Sequence, residues 1–152
     1  MDLATDVMNE NRSGPSANLP PNGTVFVAGG VTGSLTLQSA ETSRSKHAPT
    51  TAPGPDGRRN QHTATLLPDG NVMLAGGSLD SAFLDSSEIF DSATDTFTPS
   101  GTMSLARKSH TATLLPDDSR VLVAGQARAR RTTPRRLRST TSDLAASAAL
   151  RI

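Results

Sequence analysis

One stretch of this chain is written twice. Arg59-Asn60-Gln61-His62-Thr63-Ala64-Thr65-Leu66-Leu67-Pro68 returns as Arg107-Lys108-Ser109-His110-Thr111-Ala112-Thr113-Leu114-Leu115-Pro116. Each stretch leads through a polar turn into a short apolar run that ends in glycine, at Gly76-Gly77 and at Gly125. A weaker copy lies upstream, from Arg12 to Gly29-Gly30. His62 and His110 are 48 residues apart, while Gly30 and Gly77, like Glu41 and Glu88, are 47 apart. Copies near 8–30, 59–77 and 107–125 therefore share one register. A chain built this way stacks supersecondary units, each burying a face against its neighbour.

Each unit reads as strands and tight turns. His62-Thr-Ala-Thr-Leu-Leu67 is a β-branched run that turns apolar, as a buried strand does. In Pro68-Asp-Gly-Asn71, Pro presets φ, Asp bonds its own backbone, and Gly supplies a positive φ. Val72-Met-Leu-Ala75 is continuously apolar, which suits a strand covered on both faces. The following Gly pair allows a close backbone approach that a Cβ would obstruct. Ser87–Asp91 and Thr96–Pro99 flank a second polar turn and predict a second hairpin. Ser and Thr supply 37 of the 152 residues, which leans the chain further towards strands and loops.

Four strands in a period near 47 resemble the kelch repeat, a β-propeller blade marked by a Gly-Gly pair and spaced aromatics. Gly76-Gly77 matches the pair, and Phe90 and Phe97 stand where the family usually places Tyr and Trp. Phe90-Asp91-Ser-Ala-Thr94-Asp-Thr-Phe97 is similar to its aromatic-Asp-Pro-x-Thr-x-x-aromatic stretch, with Ser92 in place of Pro. The Arg-x-x-His-Thr-Ala-Thr-Leu-Leu-Pro variant resembles kelch repeats of bacterial proteins, some related to galactose oxidase. The resemblance covers about Met8 to Gly125. It implies an all-β fold: blades of four antiparallel strands, incomplete, as two to three partial blades. Only 59–106 carries a whole blade motif, and a propeller of four to eight blades cannot close from this chain alone.

Two segments break the pattern. Residues 42–58 lack the expected aromatic-Asp stretch, and 126–152 lose the second Gly and become Arg-rich. Residues 1–125 hold eight Lys and Arg against thirteen Asp and Glu, whereas 126–152 hold seven Arg against Asp143. The chain thus divides into a partial propeller over 1–125, with an aberrant segment at 42–58, and a basic tail over 126–152 that is expected to be disordered. Two readings of the breaks stand side by side: genuine linker sequence, or out-of-frame translation that returns to frame near residue 59 and is lost again near 126.

The candidate chemistry is sparse. His62 and His110 invite a metal or acid–base role, but equivalent places in successive repeats point to structural residues within each blade. Arg59, Arg107, Glu88, Asp91, Phe90, Phe97 and the glycines Gly29, Gly30, Gly76, Gly77 and Gly125 complete the repeat motif. The carboxylates Asp80, Asp85, Glu88, Asp91 and Asp95 lack the spacing of a Ca²⁺ loop and read as turn chemistry. In galactose oxidase-like enzymes the resemblance implies copper held by Tyr ligands, with a Tyr–Cys crosslink. This chain has neither residue type, so no position inherits those roles and no cofactor is expected. The basic tail has no aromatic residue for base stacking, so no specific nucleic-acid role is expected. No run spans a membrane, and the acidic N-terminus predicts no signal peptide.

The expectation is a non-catalytic kelch-repeat module that binds a protein or ligand as part of a larger propeller. Its partner would be another protein, or a second copy through exposed blade edges. A truncated or frameshifted remnant without selected activity, and a fragment of a galactose oxidase-like enzyme, are the alternatives.

Overall fold

The computed structural model describes residues 8–44, 50–52, 57–116, 120–128 and 148–151. The described residues contain strands and turns and no helix, hence none long and apolar enough to cross a membrane. The strands are β1 (Ser16–Asn18), β2 (Thr24–Ala28), β3 (Val31–Thr32), β4 (Leu35–Thr36), β5 (Ala40–Arg44), β6 (Thr50–Ala52), β7 (Thr63–Leu66), β8 (Val72–Ala75), β9 (Ser78–Leu79), β10 (Ala82–Asp91), β11 (Thr96–Leu114), β12 (Arg120–Arg128) and β13 (Ala148–Arg151). All pairings are antiparallel.

One sheet runs β1-β2-β5-β6 and is the first blade, with the hairpin β3-β4 between its second and third strands. The other sheet runs β13-β12-β11-β10-β8-β7 and contains two blades. β11 belongs to both. Its first part pairs with β10, from Asp91↔Thr96 to Ser86↔Thr102. Its last part pairs with β12, from His110↔Gly125 to Leu114↔Val121. The fourth strand of one blade therefore runs into the first strand of the next, through a register shift and Ser109 at φ +48°. Pro99 is tolerated because that part of β11 has β10 on one side and no described strand on the other.

The polar tetrads form the turns their residues dictate. Gly70 N donates to Leu67 O at 3.0 Å, Asn71 N donates to Asp69 Oδ1 at 2.9 Å, and Gly70 takes φ +87°. The first copy repeats this at Pro20–Gly23, where Gly23 N donates to Pro20 O at 3.0 Å.

Side-chain alternation along β8 shows how the blades stack. All four of its residues are buried. Val72 and Leu74 join Phe26, Ala28, Ala40 and Phe90 in a cluster shared with the first blade. Met73 and Ala75 join Leu67, Met103, Val121 and Val123 in a cluster shared with the third. Three of the four phenylalanines meet in the first seam: Phe26 stacks on Phe90 at 4.2 Å between centroids, and Phe97 tilts against Phe90 at 5.1 Å. Such contacts add about 0.5–1.5 kcal/mol beyond the burial itself. The outer blades lack this two-sided cover. β2 buries Thr24, Phe26 and Ala28 but leaves Val25 43% exposed, and β12 buries Val121 and Val123 but leaves Leu122 36% exposed.

The first blade departs from the motif reading, in which only 59–106 is whole. It has four strands, because Thr42 ends up within β5 and Thr50–Ala52 forms β6, with Ala40↔Ala52 and Thr42↔Thr50 in register. Main-chain ladders ask only for N–H and C=O groups on a pleat, and β-branched Thr suits that pleat without the expected aromatics. Of the basic segment, 126–128 continue β12 and Ala148–Arg151 form β13 beside it. The expected disorder of the tail concerns mainly residues 129–147, which lie outside the described residues.

Candidate functional site

The repeat motif converges on the seams between blades. Each motif arginine anchors its own blade by donating from Nη1 to the carbonyl of the blade's first glycine. The distances are 3.1 Å for Arg12 to Gly29, 3.3 Å for Arg59 to Gly76 and 3.2 Å for Arg107 to Gly125. Two of the three also hold a glutamate. Arg12 Nη2 lies 2.6 Å from Glu41 Oε1, and Arg59 Nη2 pairs with Glu88 Oε1. Both pairs are almost wholly out of solvent. Burial draws the Arg59 guanidinium below its usual range, and the charge and hydrogen bond of Glu88 hold it up. Arg107 is equally buried, at 0% exposure, yet its Nη2 and Nε have no hydrogen-bond partner among the described residues.

The glycine pair is where the next blade docks. Gly30 N donates to Arg59 O at 3.1 Å, and Gly77 N donates to Arg107 O at 2.7 Å. A Cβ on Gly29 would stand 2.4 Å from Arg59 O and 2.8 Å from the His62 ring. One on Gly76 would stand 2.6 Å from Arg107 O and 2.8 Å from the His110 ring. Glycine is required at both positions by this contact and by φ near +60°. At the second glycines, Gly30 and Gly77, φ is +94° and +101°. The third unit has Gln126 there, and its chain continues as β12 instead of turning. Gly125 accordingly faces its own His110, whose Cα a Cβ would meet at 2.8 Å.

The two histidines fasten consecutive first strands. His62 Nε2 shares a hydrogen bond with Ser16 Oγ at 2.7 Å, and His110 Nε2 shares one with Thr63 Oγ1 at 2.9 Å. The rings thus reach back across the seam to the preceding blade rather than bonding within their own. Burial, reinforced by the Arg59 charge and then by His110, pushes His62 down to about 3. Burial and the Arg107 charge lower His110 as well. Both rings are neutral at neutral pH and serve as latches. Ser16 and Thr63 went unnoticed in the sequence, although adding the 47-residue period to Ser16 lands on the hydroxyl of Thr63.

The other motif residues serve the fold. Asp91 Oδ1 accepts hydrogen bonds from Ala93 N at 2.8 Å and Thr94 N at 3.2 Å, which cap the hairpin turn and lower the carboxyl below its usual range. Phe90 and Phe97 belong to the aromatic seam. An open cleft of about 430 Å³ lies against Glu88, lined by Ser86, Ser87, Pro99, Gly101 and Thr102. Its carboxylate pairs with Arg59, and among the described residues no second acid or base lines it.

No family model and no curated protein matches the chain. Solved structures do match its fold. Among them is a fungal alcohol oxidase of the AA5 family, with catalytic diversity, in complex with copper. The TM-score is 0.69 and the identity 22%, over 80% of this chain and 29% of that one. The fold is thus a partial β-propeller, and the chain spans less than a third of the oxidase's length. This corrects the expectation of a non-catalytic binding module, because a solved protein that shares the fold is an enzyme. The residues of this chain do not fit a copper centre of their own. The described residues contain no group of three His, Cys, Asp or Glu that could hold a metal, and the sequence has no Tyr or Cys. His62 and His110 are both engaged in latches.

Proposed function

We propose that this chain is a scaffold portion of a kelch-type propeller of the copper-oxidase kind, supplying stacked blades to an enzyme whose redox centre lies on residues outside it. The observation that carries this reading is the repeated seam. In it, the same Arg carbonyl and His ring seat on the same Gly pair at successive junctions, within a fold shared with an alcohol oxidase. The half-covered strands β2 and β12 support it, since Val25 and Leu122 lie where further blades would pack. The bare faces of the chain are then the surfaces through which it associates with further blades or with a second copy.

Two measurements test this. The coding DNA is read in all three frames on both sides of codons 42–58 and beyond codon 126. Further repeats with a Tyr- and Cys-bearing segment support the reading, whereas closed frames without repeats overturn it. The purified chain is also titrated with Cu²⁺. The expected result is no stoichiometric complex and no alcohol-dependent peroxide formation. A tight one-to-one complex with turnover would place the redox centre on this chain and refute the scaffold role.

A further inference from the structure

Beyond Glu88 the chain contains no further glutamate, and that absence falls on one particular place in the fold. The three glutamates of the sequence are Glu10, Glu41 and Glu88, and all of them contact Arg12 or Arg59. In the first blade Glu41 reaches Arg12 from β5, where it stands opposite Val27 of β2. In the second blade Glu88 reaches Arg59 from β10, where it stands opposite Leu74 of β8. Val27 and Leu74 each lie two residues before the first glycine of their unit, as Val123 does before Gly125. The residue opposite Val123 is Ala148 of β13. The register position that holds glutamate in the first two blades is thus occupied by alanine in the third.

The receiving half of this site is nevertheless in place. Arg107 is wholly buried and tied to Gly125 O at 3.2 Å, just as Arg59 is tied to Gly76 O, and its Nη2 has no partner among the described residues. A buried guanidinium without a counter-ion is costly, and a carboxylate brought to it in a ladder is a charge-assisted hydrogen bond in a low-dielectric setting. β12 is paired with β11 on one side and β13 on the other, so an incoming strand takes the place of β13 and its main-chain bonds, and the side chain at one register position supplies specificity.

We infer that Arg107 forms a carboxylate-binding site beside β12 that takes an extended peptide strand from another polypeptide, carrying glutamate opposite Val123 in place of Ala148. The strand's chemistry follows from this chain's own two solutions, Ala40-Glu41-Thr42 and Ser87-Glu88-Ile89-Phe90. A small residue precedes the glutamate, and a β-branched residue follows it. The inference rests on strand register and one orphaned side chain, and it does not depend on the oxidase reading above.

The test uses the full chain and a fluorescent peptide with the sequence of residues 82–91, compared with the same peptide carrying E88Q. Fluorescence anisotropy is expected to show the glutamate peptide binding at least about ten-fold more tightly, the scale of one charge-assisted hydrogen bond. The preference should vanish in an Arg107→Met chain, and an Ala148→Glu chain should lose peptide binding by filling the site itself. Equal binding of the two peptides, no binding of either, or a preference that persists without Arg107 would each overturn the inference. So would an Arg107-dependent dimer seen in sedimentation with the peptide left unbound, which would assign the site to a second copy. The comparison of the two peptides uses the unaltered protein, so it is informative even if a variant misfolds.

Discussion

Arg59 and Arg107 occupy the same place in successive repeats, yet removing their charges should have opposite effects. Arg59→Met removes the buried cation that Glu88 pairs with and should cost about 3–5 kcal/mol, as breaking a buried pair from one side does. Arg107→Met deletes a buried charge that meets no carboxylate among the described residues and should leave stability unchanged or raise it by about 1 kcal/mol or more. Denaturant unfolding of the two variants checks the sign of each. The histidines give a pH signature. His62 is held at about 3 in the fold, below the 6.5 of an unfolded histidine, and His110 is shifted in the same direction. As pH falls, the unfolded chain takes up these protons first. Their contribution is complete above about pH 6.5 and is lost progressively towards pH 3. Melting temperature should therefore drop between about pH 7.5 and about pH 5, with a shallower drop in His62→Gln. Histidine and glycine positions were legible from the period alone. The Arg–Glu pairing was not, because its partners lie 29 residues apart, the arginine in the loop before a first strand and the glutamate in a third, and share only an offset.

The strands and turns show how a local rule becomes an interface. Gly14 and Gly76 both have φ near +60°, but a Cβ on Gly14 meets nothing within 4 Å, while one on Gly76 meets Arg107 O at 2.6 Å. Gly14→Ala should cost about 1–2 kcal/mol for the left-handed backbone. Gly76→Ala should cost that and about 1–3 kcal/mol more for displacing the next blade's backbone. Thermal unfolding of both variants makes the comparison. β8 and the Pro68–Asn71 turn were readable in the residues, since continuous apolarity and turn chemistry are local properties. The short hairpins β3-β4 and β9-β10 were not, because Val31–Ser39 and Ser78–Ser86 carry weak alternation and are held by the bonds of the glycine pairs. β6 was missed for a related reason: its pairing to β5 rests on main-chain groups that no side-chain motif reports.

Three blades in an arc leave two faces uncovered, and Val25 and Leu122 mark them from opposite ends. Replacing both with Thr keeps the β-branched or strand-compatible character while reducing apolar exposure. Light scattering and sedimentation should then show less self-association than the parent chain, with circular dichroism unchanged. Equal association in the double variant would move the contact elsewhere. The likeness to a copper alcohol oxidase over 29% of that chain belongs to this level of description too. It concerns how blades stack, whereas the chemistry of a site depends on individual residues, and this chain has no Tyr or Cys.

Unit length, turn positions, the need for glycine at the docking points and the all-β class were already contained in the order of residues, because each depends on neighbours within a few positions. Which residues cross a seam was settled by folding. His62 reaches Ser16, Phe26 reaches Phe90, and Glu88 reaches Arg59, while Arg107 Nη2 has no partner among the described residues. Those contacts depend on strand register, where a shift of one residue exchanges the two faces of a strand, and register is a property of the assembled sheet.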